Sequence, residues 1–440
     1  MNFPAAAVQH SPVLASRAFM AFVATIPFLH ALAPGPWLPL PMLVAGLALL
    51  VYLALGQAQR YVYFETTDLL LAVTLALGVA AFVLRPGAVG QKNINHTAAL
   101  IVSVGLFYFW VRAWLRVARV SLEQVGAAAL VGLLVASLAV ITEFGLINTT
   151  GLYFSDLIPY SADELPQIDV LTDLKRPRGL AAEPGFTAMV FEALAPLSWL
   201  YLRRHRYLVL PAALLVLPGF LLLFSAGAIL SVVLAFLLIL VFRARSGTVW
   251  AFAGVIIAAI AAFAIFSDLA GLLFEQVVGR KLLDLIGAAD ATLAETASRY
   301  DAYTTAATIF AQQPFGIGWG TVSEMFASGA IIPGVPQLNS RGVMSLYLEV
   351  LVSAGLAGLL CFAAFLLLKL KALARRSDPQ ATLVLLAALT VMIHHAAVLE
   401  FWFPMLWLLL ALGDYIGDSS HARAMPAPGP IVGGLPAAQS

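Results

Sequence analysis

The chain has 440 residues, 62% of them hydrophobic and only 11% charged, with 24 Lys and Arg against 23 Asp and Glu. That apolar fraction excludes an ordinary soluble domain, and a net charge of +1 with no basic cluster excludes a nucleic-acid-binding surface. The single cysteine, Cys361, excludes an intrachain disulfide or a cysteine-based metal site.

A helix that crosses a bilayer needs ~20 mostly apolar residues, because the hydrocarbon core is about 30 Å thick and each residue rises about 1.5 Å. Apolar stretches of this kind fall near residues 18–34, 37–56, 68–84, 97–115, 125–147, 185–202, 207–224, 226–242, 248–266, 343–367, 381–399 and 401–417. The expected fold class is all-α: a polytopic transmembrane helix bundle of about 12 spans, integral to the membrane over residues 1–424. Residues 425–440, rich in Pro, Gly and Ala without periodicity, are expected to form a disordered tail.

The first apolar run follows Arg17 and ends at Ala31-Leu32-Ala33, like a cleaved signal; the spans that follow at once make it a retained first helix. Pro34-Gly35-Pro36 and Arg85-Pro86-Gly87 punctuate the early helices by removing donors and fixing φ. Arg112, Arg116 and Arg119 recur at helical spacing beside Trp110 and Trp114, the pattern of a lipid-headgroup anchor. Short cytoplasmic loops carry the excess of Lys and Arg, and placing the N-terminus inside puts fifteen of the 24 there. Both termini are then expected in the cytoplasm, with two long loops, 148–184 and 268–342, outside.

Loop 148–184 turns from acidic to basic at Lys175, Arg176 and Arg178, then runs through Gly179 to Glu183-Pro184 and the next span. Two readings of Arg178 stand: an ion pair to Glu183 that clips the loop, or a planar, permanently charged fork held at the membrane surface for a phosphate. The spans at 207–242 are joined by Phe224-Ser225-Ala226-Gly227, either a simple joint or the break in a helix lining a cavity.

In loop 268–342, Ser298 to Asp301 has the form of a capping box, opening a helix that is expected to run to about Gln313. Tyr303, Ala307 and Phe310 give that helix an apolar face, and Arg299, one turn earlier, lies on the same side. Pro314 ends it, and Gly316, Gly318 and Gly320 alternate with Ile317 and Trp319, allowing close backbone approach.

Glu192 and Glu349 stand within spans, where a carboxylate is costly and faces a cavity or a partner helix. Ser345, Glu349 and Ser353 form one polar stripe, read equally as helix cement or as acceptor-binding. His394 and His395, near Glu400, are read as packing, and no His, Asp, Glu and Cys combination has metal-ligand spacing.

These motifs resemble the O-antigen ligase and Wzy-type polysaccharide polymerase superfamily of bacterial inner membranes. The resemblance rests on Arg299 through Gly320, with its arginine, its aromatic and its Pro-x-x-Gly-x-Gly turn, and on Arg178-Gly179-Leu180 with Glu183-Pro184. Met344-Ser345-Leu346-Tyr347-Leu348-Glu349 resembles a helix start that carries a histidine in ligases, the candidate base there; here Met344 takes its place, which favours a polymerase. Ser225 and Gly227 resemble a further family element without its adjoining arginine.

The resemblance implies glycosyl transfer from a polyprenyl-diphosphate-linked glycan to an acceptor sugar at the periplasmic face, without cofactor or metal, and makes the long loops periplasmic. It makes Arg178, Arg299, Glu183 and Glu349 candidate catalytic residues, the two carboxylates competing as base. Arg176, Arg341, Ser345, Gly316, Gly318 and Trp319 become candidate substrate-binding residues. Expected partners are the lipid-linked donor, the acceptor, the bilayer and a flippase or chain-length regulator, with no nucleic acid. Ligation to lipid A core is the alternative reaction. A transporter of lipid-linked glycan and a noncatalytic assembly subunit are alternatives of other classes.

Overall fold

In the computed structural model of the protein, the described residues are 11–35, 38–54, 62–84, 90–161, 175–243, 299–327 and 343–424; residues 11–12, 226, 241–243, 299–302, 326–327 and 418–424 are described by backbone alone. The architecture is all-helical, and no strand occurs among the described residues. The helices are α1 (Ser11–Ala24), α2 (Leu40–Ala54), α3 (Asp68–Val83), α4 (Gln91–Ala118), α5 (Leu122–Thr149), α6 (Pro184–Leu202), α7 (Val209–Leu222), α8 (Ala226–Arg243), α9 (Arg299–Gln312), α10 (Thr321–Ala327), α11 (Leu346–Ala374), α12 (Pro379–His394) and α13 (Pro404–Ala424). By length and composition α4, α5, α6 and α11 can each cross a membrane, and seven shorter apolar helices accompany them among the described residues. The expected span at 248–266 and the tail at 425–440 lie outside the described residues.

Local chemistry sets the helix ends. Ser121 accepts from the Gln124 amide while the Gln124 side chain takes the Ser121 amide, closing a capping box at the start of α5. Pro184 occupies the first turn of α6, where its missing N–H removes nothing. Asp378 caps α12 through the Gln380 amide, with Pro379 at its first turn.

The bundle centre is α5 against α6, with α12 on the far side of α6 and α3 lying along α11. Its aromatic core joins α1 to α4: the Phe19 ring meets the edge of Trp114 at 5.2 Å, Trp114 stacks on Trp110 at 5.7 Å, and the Trp114 indole donates to Ala15 O at 3.1 Å. Trp110 and Trp114 are therefore buried packing residues rather than an interfacial belt.

Four expectations are corrected. The first helix ends at Ala24, not near 34; Pro27 removes an amide donor, and residues 25–35 fold into a loop in which Ala31 bridges Tyr160. Arg112 is no headgroup anchor: it is buried and bonded to Asp68 and Asp414, while Arg116 lies 3.5 Å over the Tyr63 ring. The 207–242 segment is not one broken helix, because α7 packs on α5 and α8 on α12, on either side of α6. In α9 the buried face holds Thr305, Ala306 and Ile309, and Ala307 is exposed, because α9 packs on α11 with the Ile317 and Val352 side chains beneath it.

Candidate functional site

One end of the bundle gathers almost every residue singled out by sequence. Here the loop 25–35, the segments 150–161 and 175–183, the α7–α8 joint, the α9–α10 turn and the segment 395–403 meet.

Arg178 is only 3% exposed. Its own backbone amide and that of Gly179 each donate to Glu143 Oε2 at 2.6 Å, and the Phe154 amide donates to Glu143 Oε1 at 3.3 Å. Glu143 from α5 thus fixes the backbone of this loop. Gly179 adopts φ 65, which a glycine takes without strain. The guanidinium donates through Nη2 to Ser155 Oγ at 3.0 Å and lies over the rings of Tyr153 and Tyr160, 5.0 and 5.6 Å from their centroids. Two rings, a hydroxyl and a clamped backbone hold one positive charge in one orientation. Sequence reasoning missed Glu143; its signal was a lone carboxylate inside the apolar run 125–147.

Arg176 donates to Leu223 O at 2.8 Å and Phe224 O at 3.0 Å, so it closes the exposed end of α7 and ties the loop to the α7–α8 joint. Glu183 is half-buried and stands at the N-cap of α6, extended at φ −132 and ψ 150.

His30 completes this face. Its Nδ1 accepts from the Ala182 amide at 3.0 Å, and it packs among Tyr160, Phe186 and Phe403. Burial, then the nearby Arg178 charge, lower its pKa to about 4. An unfolded histidine titrates near 6.5, so between pH 6.5 and 4 the unfolded chain binds a proton that the native state does not. Stability from His30 is present above pH 6.5 and is lost as pH falls toward 4, by about 3 kcal/mol at the limit. His30→Asn, which keeps an acceptor for Ala182, should flatten the pH dependence of the melting temperature in that window; an unchanged slope would show that His30 is not responsible.

The glycine turn docks on a helix break. Inside α11, Gly355 adopts φ 71 and ψ −174, which interrupts the helical hydrogen bonds. The orphaned groups are met by the turn: Ile317 N donates to Val352 O at 2.8 Å, Gly318 N to Ser353 O at 2.9 Å, and Leu356 N to Pro314 O at 3.3 Å. Irregular backbone survives inside an apolar bundle only when satisfied in this way. Gly316, Gly318 and Gly320 all have positive φ, at 89, 96 and 72, and their bare backbones lie against α11, Phe82 of α3 and His96 of α4. Trp319 is 2% exposed; its indole fills the space over Gly78 and donates to Leu75 O at 3.2 Å.

A Cβ on Gly316 would stand 2.7 Å from Gly355 N, and its φ is strained for any other residue. Gly316→Ala should therefore cost about 2–4 kcal/mol, read as a lowered melting temperature in detergent. Gly46→Ala, where nothing lies within 4 Å, is the control expected to leave it unchanged.

Glu349 accepts from Ser353 Oγ at 2.9 Å and from Gly320 N at 3.4 Å, so the polar stripe on α11 holds the turn from below. Ser345 caps α11 by position, and its hydroxyl reaches His395 O at 3.4 Å; the preceding Met344 is left-handed at φ 50. Asn93 donates to Trp319 O at 3.0 Å and Thr321 Oγ1 at 2.7 Å, pinning α4 to the same turn. Arg299 is the first residue of α9 and only its backbone is described; Arg341 lies outside the described residues.

Segment 395–403 links the two halves. Phe401 packs near Trp319, Trp402 near His96, and Phe403 against His30 and Phe186. Tyr303 of α9 donates to Ala396 O at 3.3 Å. Just below, His394 Nδ1 and Glu192 Oε2 lie 2.8 Å apart, both residues buried. The sequence marked each of these two residues but not their pairing, since nothing in the spacing of 192 and 394 connects them.

Residues 211–363, about a third of the chain, match the family model Wzy_C, described as O-antigen ligase. A search of curated proteins gave no match. The matched stretch contains most of α7, then α8, α9, the glycine turn, α10 and the first half of α11, whereas Arg178 and Glu183 precede it. Over residues 211–363 the chain is thus similar to the O-antigen ligase family, a match that supports the resemblance to the O-antigen ligase and Wzy-type polymerase superfamily.

Proposed function

We propose that the protein is a membrane glycosyltransferase that polymerises or transfers glycan from a polyprenyl-diphosphate-linked donor at the periplasmic face of the bacterial inner membrane, for O-antigen, capsule or exopolysaccharide synthesis. The observation that carries this reading is Arg178, a permanent charge locked at the end of the bundle where the family-matching turn also docks. The hard event in the reaction is departure of a diphosphate anion. Fixed guanidinium groups stabilise its developing charge without reorganising at the moment of reaction, and do so without a metal.

Arg178 and Arg299 are the two cations assigned to that anion, with Arg341 as a third. Arg176 holds the α7–α8 joint beside them. Glu183, half-buried at the N-cap of α6, is the carboxylate assigned here to the acceptor hydroxyls, whereas Glu349 accepts from Ser353 and Gly320 and supports the turn. Gly316, Gly318, Trp319 and Ser345 act on substrate through the surface that this docked turn presents. Met344, in place of the ligase histidine, favours polymerisation over ligation.

The test is complementation of a deletion strain with Arg178→Ala, Arg178→Lys, Arg299→Ala or Arg299→Lys at matched protein level. Loss of polymer with accumulation of lipid-linked repeat units on the outer leaflet is expected. Accumulation on the inner leaflet would instead indicate a transporter, and unaltered polymer in both alanine variants would overturn the proposal.

A further inference from the structure

At the end of the bundle away from the glycine turn, a cavity of about 210 Å³ lies between α11, α12 and α13. One water takes up ~30 Å³, so the space suits several waters or a small charged group. Part of its wall is apolar, from Leu370 and Leu373 of α11 and Leu409 of α13. The rest carries both signs of charge: Glu65 and Asp414 on one hand, Lys369 and Arg376 on the other.

The two acids keep capacity for a further donor. Lys369 Nζ donates to Glu65 Oε2 at 2.7 Å and to Asp414 Oδ1 and Oδ2 at 3.0 and 2.9 Å, which commits its three hydrogens. Glu65 Oε1 meets only Arg112 Nη1 among the described residues, and at 3.8 Å this is an ion-pair contact without a hydrogen bond. Asp414 Oδ1 accepts from Lys369 alone, which leaves it a second lone pair. Glu65 is also reachable, with 35% of its side chain exposed. Three carboxylates, Glu65, Asp68 and Asp414, share Arg112 and Lys369 as ion-pair partners, so this side of the cavity favours one more positive group.

Arg376 gives another part of the wall the opposite sign. Its Nη1 donates to Ile416 O at 2.9 Å, and the ion pairs of Glu65 and Asp414 are with Arg112 and Lys369 rather than with it. A guanidinium charge attracts a phosphate across several ångströms whatever hydrogen bonds it already makes. A bare metal ion, by contrast, would have to displace the Lys369 ammonium from both carboxylates. Acidic groups, a separate cation and an apolar flank match a zwitterion that carries an ammonium and a phosphate on an apolar tail.

We propose that this cavity binds an ethanolamine phosphate group, its primary ammonium donating to Glu65 and Asp414 and its phosphate on the Arg376 side. A phospholipid headgroup and the free phosphodiester present the same chemistry. Binding here is independent of the glycosyltransferase reading, since no residue of the Arg178 face takes part.

The experiment uses the full-length protein in phosphatidylcholine nanodiscs, read by thermal unfolding. Exchanging part of the lipid for phosphatidylethanolamine should raise the melting temperature, because a ligand of the native state stabilises it. Phosphatidylcholine has the same phosphate and tails, but its trimethylated nitrogen has no hydrogen to donate. Glu65→Gln keeps the shape, removes the charge and should weaken phosphatidylethanolamine binding about tenfold. Gly413→Ala decides the matter if Glu65→Gln folds poorly: a Cβ there meets only the Leu373 side chain, at 3.7 Å, so the variant should be as stable as the parent in phosphatidylcholine while losing part of the gain. Gly413→Leu fills more of the cavity and should lose the rest. Soluble glycerophosphoethanolamine separates the sources: protection by it supports the site with a free ligand, and protection by the lipid alone supports the site with a headgroup. Equal melting temperatures in the two lipids with no protection by the soluble compound would overturn the proposal. So would a full gain retained in Glu65→Gln and both Gly413 variants, which would trace it to the bulk bilayer.

Discussion

Arg178→Ala is expected to reduce glycan transfer by about 10²- to 10³-fold, the loss typical of removing one preorganised donor to a developing anion. The variant separates chemistry from folding unusually well. The loop is anchored through the backbone amides of residues 178 and 179 on Glu143, and those bonds survive loss of the side chain. What disappears is the guanidinium over Tyr153 and Tyr160 and its bond to Ser155. Arg178→Lys should recover little, because an ammonium keeps the charge but cannot stack between two rings and present a second planar edge. Glu143→Gln is the informative companion: it retains oxygen at one position but removes the carboxylate that receives three amides, so it should loosen the loop and lower both stability and activity. Turnover with lipid-linked donor and thermal unfolding in detergent distinguish the two. A lysine variant with parental turnover would mean that charge alone matters and that the fork geometry is incidental.

Much of this site was legible in the sequence, and what escaped is instructive. The glycine run at 316–320 was visible as punctuation, but its partner, the break at Gly355, was not: a glycine inside a long apolar run is common in membrane helices, and this break exists only because Ile317 and Gly318, 35 residues before Val352 and Ser353, donate to the freed carbonyls. Glu349 was found from the cost of a buried carboxylate, and the same rule should have drawn attention to Glu143. The helix boundaries at Pro184 and Pro314 followed from local chemistry. The α9 face did not, because Tyr303, Ala307 and Phe310 fit helical spacing as well as Thr305, Ala306 and Ile309 do, and packing on α11 chose the second set. Arg112 was misread for a similar reason. Arginines at helical spacing beside tryptophans describe a headgroup anchor equally well as a buried ion pair until the acidic partners, 44 residues upstream and 302 downstream, are brought alongside.

Arg112→Met should destabilise the protein by about 3–5 kcal/mol while sparing the chemistry of the opposite end. Arg112 is 1% exposed and donates to Asp68 Oδ2 at 2.8 Å, Asp414 Oδ2 at 3.0 Å and the Tyr108 hydroxyl at 3.1 Å. Lys369 Nζ donates to Glu65 Oε2 at 2.7 Å and to Asp414 Oδ2 at 2.9 Å, and the Tyr108 hydroxyl donates to Asp68 Oδ1 at 2.7 Å. These groups come from α3, α4, α11 and α13 and the residues before α3, so the network fastens four helices at the end away from the glycine turn. Taking out Arg112 alone leaves Asp68 and Asp414 buried with too little positive charge, and the cost is mainly that of the stranded carboxylates. The double variant Arg112→Met with Asp68→Leu removes one charge of each sign and leaves Lys369 with Glu65 and Asp414, so it should regain most of the lost stability. Thermal unfolding of the two single variants and the double gives the coupling directly. A single variant as stable as the parent, or a double no better than the Arg112 single, would show that the network is hydrated and contributes little. The expected recovery would instead place its value in which helices it joins, since an apolar pair would hold them nearly as tightly but without selecting α3 and α13 as the neighbours of α4.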